Sequence, residues 1–507
     1  MRTLPADTST DHPGAPATAA HLRQPAPVTQ RWAELDSDAK AAAVGLAVAL
    51  AGAIAVRVWL MLAYAPAFVG FSDTHDYLTA ALVGVFHDVE KPAGYPIFLR
   101  LAHAFGHSLT FTILVQHVLG IATGVLLYKA VRRSGGPAWL GLAPAVVVFF
   151  GGTGLLLEHS LLADPLYAFL QAVCLYAAIR ALGPHPTRWA LLAGVFGGAC
   201  FWVKAVGLAN IGALAIALAL GAPGPPRRRM LTAAAATAAA LVLALGYVPV
   251  QALVSGYWGY QRQDSWNLYG RVATFVDCSR FTPPAGTRFL CPSEPPSGRQ
   301  SESFYQFARA APAVRRYGGP AHAPPSANAT LQRFSLAAIA HEPLAFAGAI
   351  FRSLGFYISP RPGEGYTPLS IREALVEAKG VHSVQPALSA YYPHSHGYTG
   401  SRAALAPLDS YDRHTRIQGA LLIAIALAAL AGLTLLRGRA RAGALLFALT
   451  AVGSLTLAAA GNSYDARYGY PAFGPLAAAG ALGAWALAVR LRRAASAAFD
   501  LRERRPQ

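Results

Sequence analysis

Two carboxylates three residues apart, Asp73 and Asp76, open a stretch from Phe71 to Arg100 that also holds His75, Asp88, Glu90 and Lys91. Side chains at i and i+3 share one face of a helical turn. There a carboxylate can take a proton from a hydroxyl, and a neighbouring cation can hold an anionic group. The same spacing also suits a plainer use, since either Asp could N-cap a helix beginning near Tyr77. Three other polar sites stand at the edges of apolar runs: Glu158-His159, Lys204, and Asp465-Ala466-Arg467-Tyr468. Lys204 and Arg467 are the cations such a site would offer to a departing anion, although Lys204 could also snorkel to an interface and Arg467 could pair with Asp465.

The elements that must position these residues are membrane spans. The 507 residues are 54% hydrophobic and only 13% charged, which is not a soluble balance. Ten apolar stretches approach the ~20 residues that cross a bilayer: 41–64, 108–128, 138–157, 161–182, 189–203, 205–221, 231–254, 417–436, 442–460 and 471–489. The fifth and sixth are short and could be one broken helix. The net charge of +18 does not imply nucleic acid, because the Arg clusters sit at span ends, as the positive-inside rule requires. Examples are Arg132-Arg133, Arg227 to Arg229, Arg437-Arg439-Arg441 and Arg490-Arg492-Arg493.

Placing those clusters in the cytoplasm divides the chain. Residues 1–40 read as a disordered cytoplasmic tail, 41–254 as a transmembrane core with a first extracytoplasmic loop at 65–107, and 255–415 as an extracytoplasmic domain. Residues 416–490 carry the last spans and 491–507 form a basic cytoplasmic tail. The acidic loop, Glu158-His159, Lys204, the 255–415 region and Asp465 to Tyr468 then all meet on one extracytoplasmic face. Within 255–415 the apolar piece near 334–358 is interrupted by His341-Glu342-Pro343 and holds Arg352, which argues for a surface helix over a span. Cys278 and Cys291 flank a Pro- and Gly-containing loop in that region, and an oxidising compartment would join them. Cys174 and Cys200 fall inside spans. Heavy use of Ala, Arg, Gly and Pro points to a high-GC bacterial genome, and hence to a bacterial plasma membrane.

The motifs F-S-D-x-x-D-Y-L-x-x-A and K-P-A-G-Y-P-I-F-L after the first span resemble the first exported loop of the GT-C membrane glycosyltransferases. That superfamily includes the protein O-mannosyltransferases and the lipid A aminoarabinose transferases. E-H-S-L-L-A-D-P-L at 158–166, W-V-K-A-V-G-L at 202–208 and D-A-R-Y-x-x-P at 465–471 agree in the expected order. The separated Asp73 and Asp76 depart from the adjacent acidic pair usual in the protein mannosyltransferases.

The resemblance implies a polytopic α-helical GT-C-like membrane protein with about ten transmembrane helices and a mixed extracytoplasmic domain. Its activity would be inverting transfer of a monosaccharide from a polyprenyl-phosphate carrier to an extracytoplasmic glycan, lipid or protein. Asp73 is then the expected base, with Asp76 the second candidate or the residue that orients the acceptor. A partly desolvated carboxylate at an interface is expected to have a raised pKa, which suits a base. Lys204, Arg467, His159 and Lys91 are expected at the donor phosphate, and Glu158, Tyr77, Tyr95, Asp465 and Tyr468 at the acceptor or sugar. Asp164 before Pro165 could simply cap a helix.

No cofactor is implied, and a divalent cation stays open. The His394-Ser395-His396 pair on a Pro/Gly loop is a weak metal signal without carboxylates at defined spacing, so no metal ligand is assigned. No P-loop, HExxH or GxGxxG after a strand occurs, which fits a lipid-linked donor. The rival reading, a transporter, flippase or non-catalytic binder of lipid-linked sugars, calls for polar groups deep within the spans. Gln116, His117, Gln171 and Asn210 are few.

Overall fold

A computed structural model describes residues 36–359, 367, 372–373, 376–401 and 403–503. Most of the 1–40 tail and the end of the 491–507 tail therefore lie outside the described residues. The chain runs through α1 (Ser37–Ala63), α2 (Ser72–Val83), α3 (Gly94–Phe105), α4 (Leu109–Arg133), α5 (Leu142–Phe150), α6 (Gly152–Glu158) and α7 (Asp164–Ala181). It continues through α8 (Pro186–Val203), α9 (Leu208–Gly221), α10 (Pro226–Ser255), α11 (Gln263–Ala273), α12 (Glu302–Phe307), α13 (Pro312–Tyr317), α14 (Pro325–His341) and α15 (Pro343–Ile358). After α16 (Ala378–Tyr391) and α17 (Ala406–Thr415) come α18 (Gly419–Leu435), α19 (Gly438–Gly461) and α20 (Gly469–Glu503).

Among the described residues six helical stretches are long and apolar enough to cross a membrane, and up to eight if each of two bent pairs counts as one span. The expected ten is not confirmed, for reasons of length and continuity. α9 has 14 residues, about 21 Å at 1.5 Å per residue, short of the ~30 Å hydrocarbon core. The stretch 138–158 breaks at Gly151 and bends by 56°. Lys204 interrupts α8 and α9, its backbone extended at φ −152° and ψ 139°.

The apolar piece near 334–358 passes the same length and composition test only as a pair bent by 100°. Pro343 supplies no amide hydrogen to continue the ladder of α14, so a new helix starts there. The 255–415 lobe is not mixed: among the described residues the chain has no sheet, only one isolated parallel bridge between Phe68 and Ser160.

Two cores result. The large one joins the membrane helices, with α18 packed on α20, α8 on both α7 and α10, and α9 on α19. A separate core fills the lobe, around Trp266, Tyr269, Val272, Leu290 and Phe334. Cys278 and Cys291 are bonded beside it, with Cα atoms 6.1 Å apart. The lobe's helix α11 also touches α19, so the last spans and the lobe are set against each other across the site described next.

Candidate active site

α2 begins at Ser72, ahead of both Asp73 and Asp76, so neither is its N-cap, and the N-cap Phe71 makes no side-chain capping bond. Asp73 therefore sits in the first helical turn, near the positive end of the helix dipole, with its carboxylate turned to other partners. Its Oδ1 lies 2.7 Å from Lys91 Nζ and its Oδ2 accepts from the Arg467 guanidinium at 2.7 Å. Arg467 in turn donates its Nε to Asp465 Oδ2 at 2.7 Å and its backbone amide to Asp465 Oδ1 at 3.0 Å. Residues 392 positions apart, Asp73 and Asp465, are thus held by one guanidinium. Lys91 also donates to Gln263 Oε1 at 2.6 Å and stands 3.9 Å from Asp76.

Lys204, in the break between α8 and α9, donates to Asp164 Oδ1 at 2.5 Å. Asp164 begins α7 without a side-chain capping bond, so this carboxylate is spent on the lysine. Both cations lie against aromatic faces: Lys204 Nζ is 5.2 Å from the Tyr468 ring centre, and the Arg467 guanidinium is 4.8 Å from that of Phe71.

These groups line one cavity of about 540 Å³. Its walls are Phe71 to Asp73, Tyr77 and Lys91 of the first loop, Lys204, then Asp465, Arg467 and Tyr468, and the lobe residues Gln261, Gln263, Asp264 and Asn267 with Glu302 and Gln306. Burial pushes the Asp73 carboxyl up, but Lys91 and Arg467 outweigh it and hold the group well below the usual carboxylate range. The expected raised pKa at this position is reversed in sign, because two cations accompany the desolvation. Lys91 is drawn down by burial and pulled up more strongly by Asp73 and Asp76. Among the described residues no group of three or more His, Cys, Asp or Glu is arranged to hold a metal ion.

No family model matches the sequence. No curated protein matches it either. Solved structures do overlap with it. One is the archaeal oligosaccharyltransferase AglB from Archaeoglobus fulgidus, in complex with an inhibitory peptide and a dolichol-phosphate: 13% identity, TM-score 0.43, covering 90% of this chain and 52% of that one. The apo form of the Archaeoglobus fulgidus oligosaccharyltransferase overlaps at 12% identity and TM-score 0.40, with the same coverage. The form tethered to an acceptor peptide containing the NVT sequon overlaps at 13% identity and TM-score 0.35, over 80% of this chain and 42% of that one. The chain spans about half the length of the solved structures it matches. With overlaps this loose, what the site does must be read from its own residues.

Not every expected residue reaches the cavity. Asp73, Lys91, Tyr77, Lys204, Asp465, Arg467 and Tyr468 line it, and Asp76 stands at its edge beside Lys91. Glu158, His159 and Tyr95 do not. Glu158 is fully buried and accepts from Arg57 Nε at 2.8 Å, Arg57 NH2 at 2.8 Å and the Tyr470 hydroxyl at 3.1 Å, with His117 Nδ1 also 3.1 Å away. His159 Nε2 donates to the Tyr64 carbonyl at 2.9 Å, which leaves Nδ1 to accept from His117 Nε2 at 3.2 Å. Tyr95 packs edge-on against Tyr77 and donates to Gln116 Oε1 at 2.6 Å, and Gln116 Nε2 holds the Ser160 carbonyl at 2.7 Å. Gly120 lies beneath this network, where a Cβ would collide with the Glu158 carboxylate.

Sequence reasoning missed Gln263 and Asp264 of the lobe wall and the Arg57 partner of Glu158. Arg57 carried a signal. It is the one charge inside the first apolar span, and such a charge calls for a partner.

Proposed function

We propose that this chain is a membrane glycosyltransferase of the GT-C kind. It moves a monosaccharide from a polyprenyl-phosphate carrier to a hydroxyl of an extracytoplasmic acceptor, with inversion at the anomeric carbon. The observation that carries this reading is the single cavity faced by Lys91, Lys204 and Arg467 together with Asp73 and Asp465. Its size falls in the range of small-ligand sites, about 300–1,000 Å³. Three cations in a partly desolvated site match an anion whose charge grows as it leaves.

In this reading the carrier phosphate meets Lys204 and Arg467, with Lys91 behind them. Each cation already has a carboxylate partner, so the site is near neutral when empty and its cations are held in place for the phosphate. Asp73 is essential because it fixes Lys91 and Arg467 at one point. Asp76, beside Lys91, helps orient the acceptor. Tyr77 and Tyr468 offer ring faces to the sugar.

Full-length protein in proteoliposomes tests the proposal, supplied with radiolabelled polyprenyl-phosphate sugars and a membrane extract as acceptor. Transfer by the wild type and its loss in Arg467→Ala support the enzyme. Labelled lipid crossing the bilayer without transfer would make the chain a flippase.

A further inference from the structure

Both oxygens of Asp73 are engaged by cations at 2.7 Å, which favours its charged form, whereas a group acting as a base needs access to the acceptor hydroxyl and an affinity for the proton. Another carboxylate on the same cavity has both.

α11 divides its side chains by helical period. Trp266, Tyr269, Gly270 and Ala273, at i, i+3, i+4 and i+7, are buried in the lobe core. Gln263, Asp264 and Asn267, at i, i+1 and i+4, fall on a different face and line the cavity. The apolar face anchors the polar one. The Asp264 carboxylate accepts from the neutral amide of Gln261 at 2.5 Å, and among the described residues no cation forms an ion pair with it. On the same wall Asn267 Oδ1 is buried without a hydrogen-bond partner, a vacancy that a ligand hydroxyl would fill.

We infer that Asp264, and not Asp73, takes the proton from the acceptor hydroxyl, while Asn267 receives a hydrogen bond from a second hydroxyl of the same substrate. The inference rests on the glycosyl-transfer reading above. In the step, the acceptor oxygen bonds to the anomeric carbon and its proton passes to the Asp264 carboxylate. The bond from that carbon to the phosphate oxygen breaks, and its electron pair leaves with the phosphate. A phosphodiester monoanion becomes a monoester dianion, and the added charge falls on Lys91, Lys204 and Arg467. Asp73 is then a positioning residue.

The electrostatics agree with the geometry. Burial raises the Asp264 carboxyl to about 7, against the weaker opposing pulls of the Gln261 amide and Lys91. The other groups facing it are Tyr247, Tyr257 and Tyr260. Nearby, Arg262 is paired with Glu90 at 3.2 Å, and Arg271 with Glu302 at 2.7 Å. A base with this affinity is matched to neutral conditions.

The test compares wild type, Asp264→Asn, Asp264→Glu and Asp73→Asn in the proteoliposome assay across pH 5 to 9. Binding of plain polyprenyl phosphate and thermal stability are measured alongside. Wild-type turnover should rise with pH through about 7. Asp264→Asn should lose about 100-fold or more in turnover and lose that pH limb, yet bind polyprenyl phosphate within about twofold of wild type. Asp264→Glu should restore part of the rate with the limb shifted, and Asp73→Asn should weaken phosphate binding. Wild-type turnover and limb in Asp264→Asn, or a limb that vanishes only in Asp73→Asn, overturns the assignment and leaves the transferase reading standing. Absence of transfer by the wild type overturns both.

Discussion

Two of the charge clusters among the described residues, one around Glu158 and one around Asp73, differ in what surrounds them. Around Glu158 on α6, the partners Arg57, His117 and Tyr470 close on one fully buried carboxylate from three helices, α1, α4 and α20. Around Asp73, the partners Lys91 and Arg467 lie on the wall of a cavity of about 540 Å³. Both clusters bury ions, and both look alike in sequence as polar motifs beside apolar runs. The closed cluster has every hydrogen bond made within the fold, so its free energy is spent on joining helices. The open one holds its cations by carboxylates on the cavity wall, where an incoming anion can reach them. Buried charge alone therefore does not distinguish the two clusters; access does.

Removing one partner from the closed cluster should have the largest effect on stability. Glu158→Ala leaves the Arg57 guanidinium buried and unpaired, which costs about 3–5 kcal/mol. Reduced yield and a melting temperature lowered by several degrees in detergent would show it. Glu158→Gln, which keeps hydrogen-bond acceptance at Oε1, should lose less. If Glu158→Ala melted like wild type, the contrast between the clusters would fail.

The open cluster should respond in the opposite currency, through rate. Arg467→Ala removes one donor from the site and should lower transfer by about 10²–10³-fold. Lost contacts to Asp73 and Asp465 will also destabilise it, so turnover must be normalised to folded protein. A variant that melts early but transfers at wild-type rate would make Arg467 a second structural staple.

The sequence made the open cluster legible because its residues break apolar contexts. Lys204 stands alone between two apolar helices, and Asp465 to Tyr468 precede the last span, so each contrasts with its neighbours. Asp264 has no such contrast. It lies in a region of some 160 mostly polar residues, where one more carboxylate carries no signal until α11 is seen to turn its apolar face into the lobe core. Glu158-His159 contrasts as strongly as Lys204 does, yet points inward. The deciding partner, Arg57, is 101 positions away, and that pairing is tertiary information. The helical character of the membrane part could be read from composition, but the number of spans could not. A break at Gly151 leaves hydropathy unchanged while shortening the helix.

The smallest effect tests the sign of the Asp73 environment. Lys91 and Arg467 hold its folded-state affinity for protons below the unfolded value, which is about 3.9. A carboxyl shifted down contributes its stability fully above the unfolded value and loses it as pH falls through the folded one. Asp73→Asn should therefore be less stable than wild type at pH 7, and the gap should narrow as pH drops below about 4. Most carboxylates titrate in this window, so either curve alone reports their sum. The difference between the two curves isolates Asp73. A gap that stays constant down to acid pH would mean that the two cations do not govern this carboxylate. Asp73 would then regain the proton affinity that a base requires, and the division of labour between Asp73 and Asp264 would collapse.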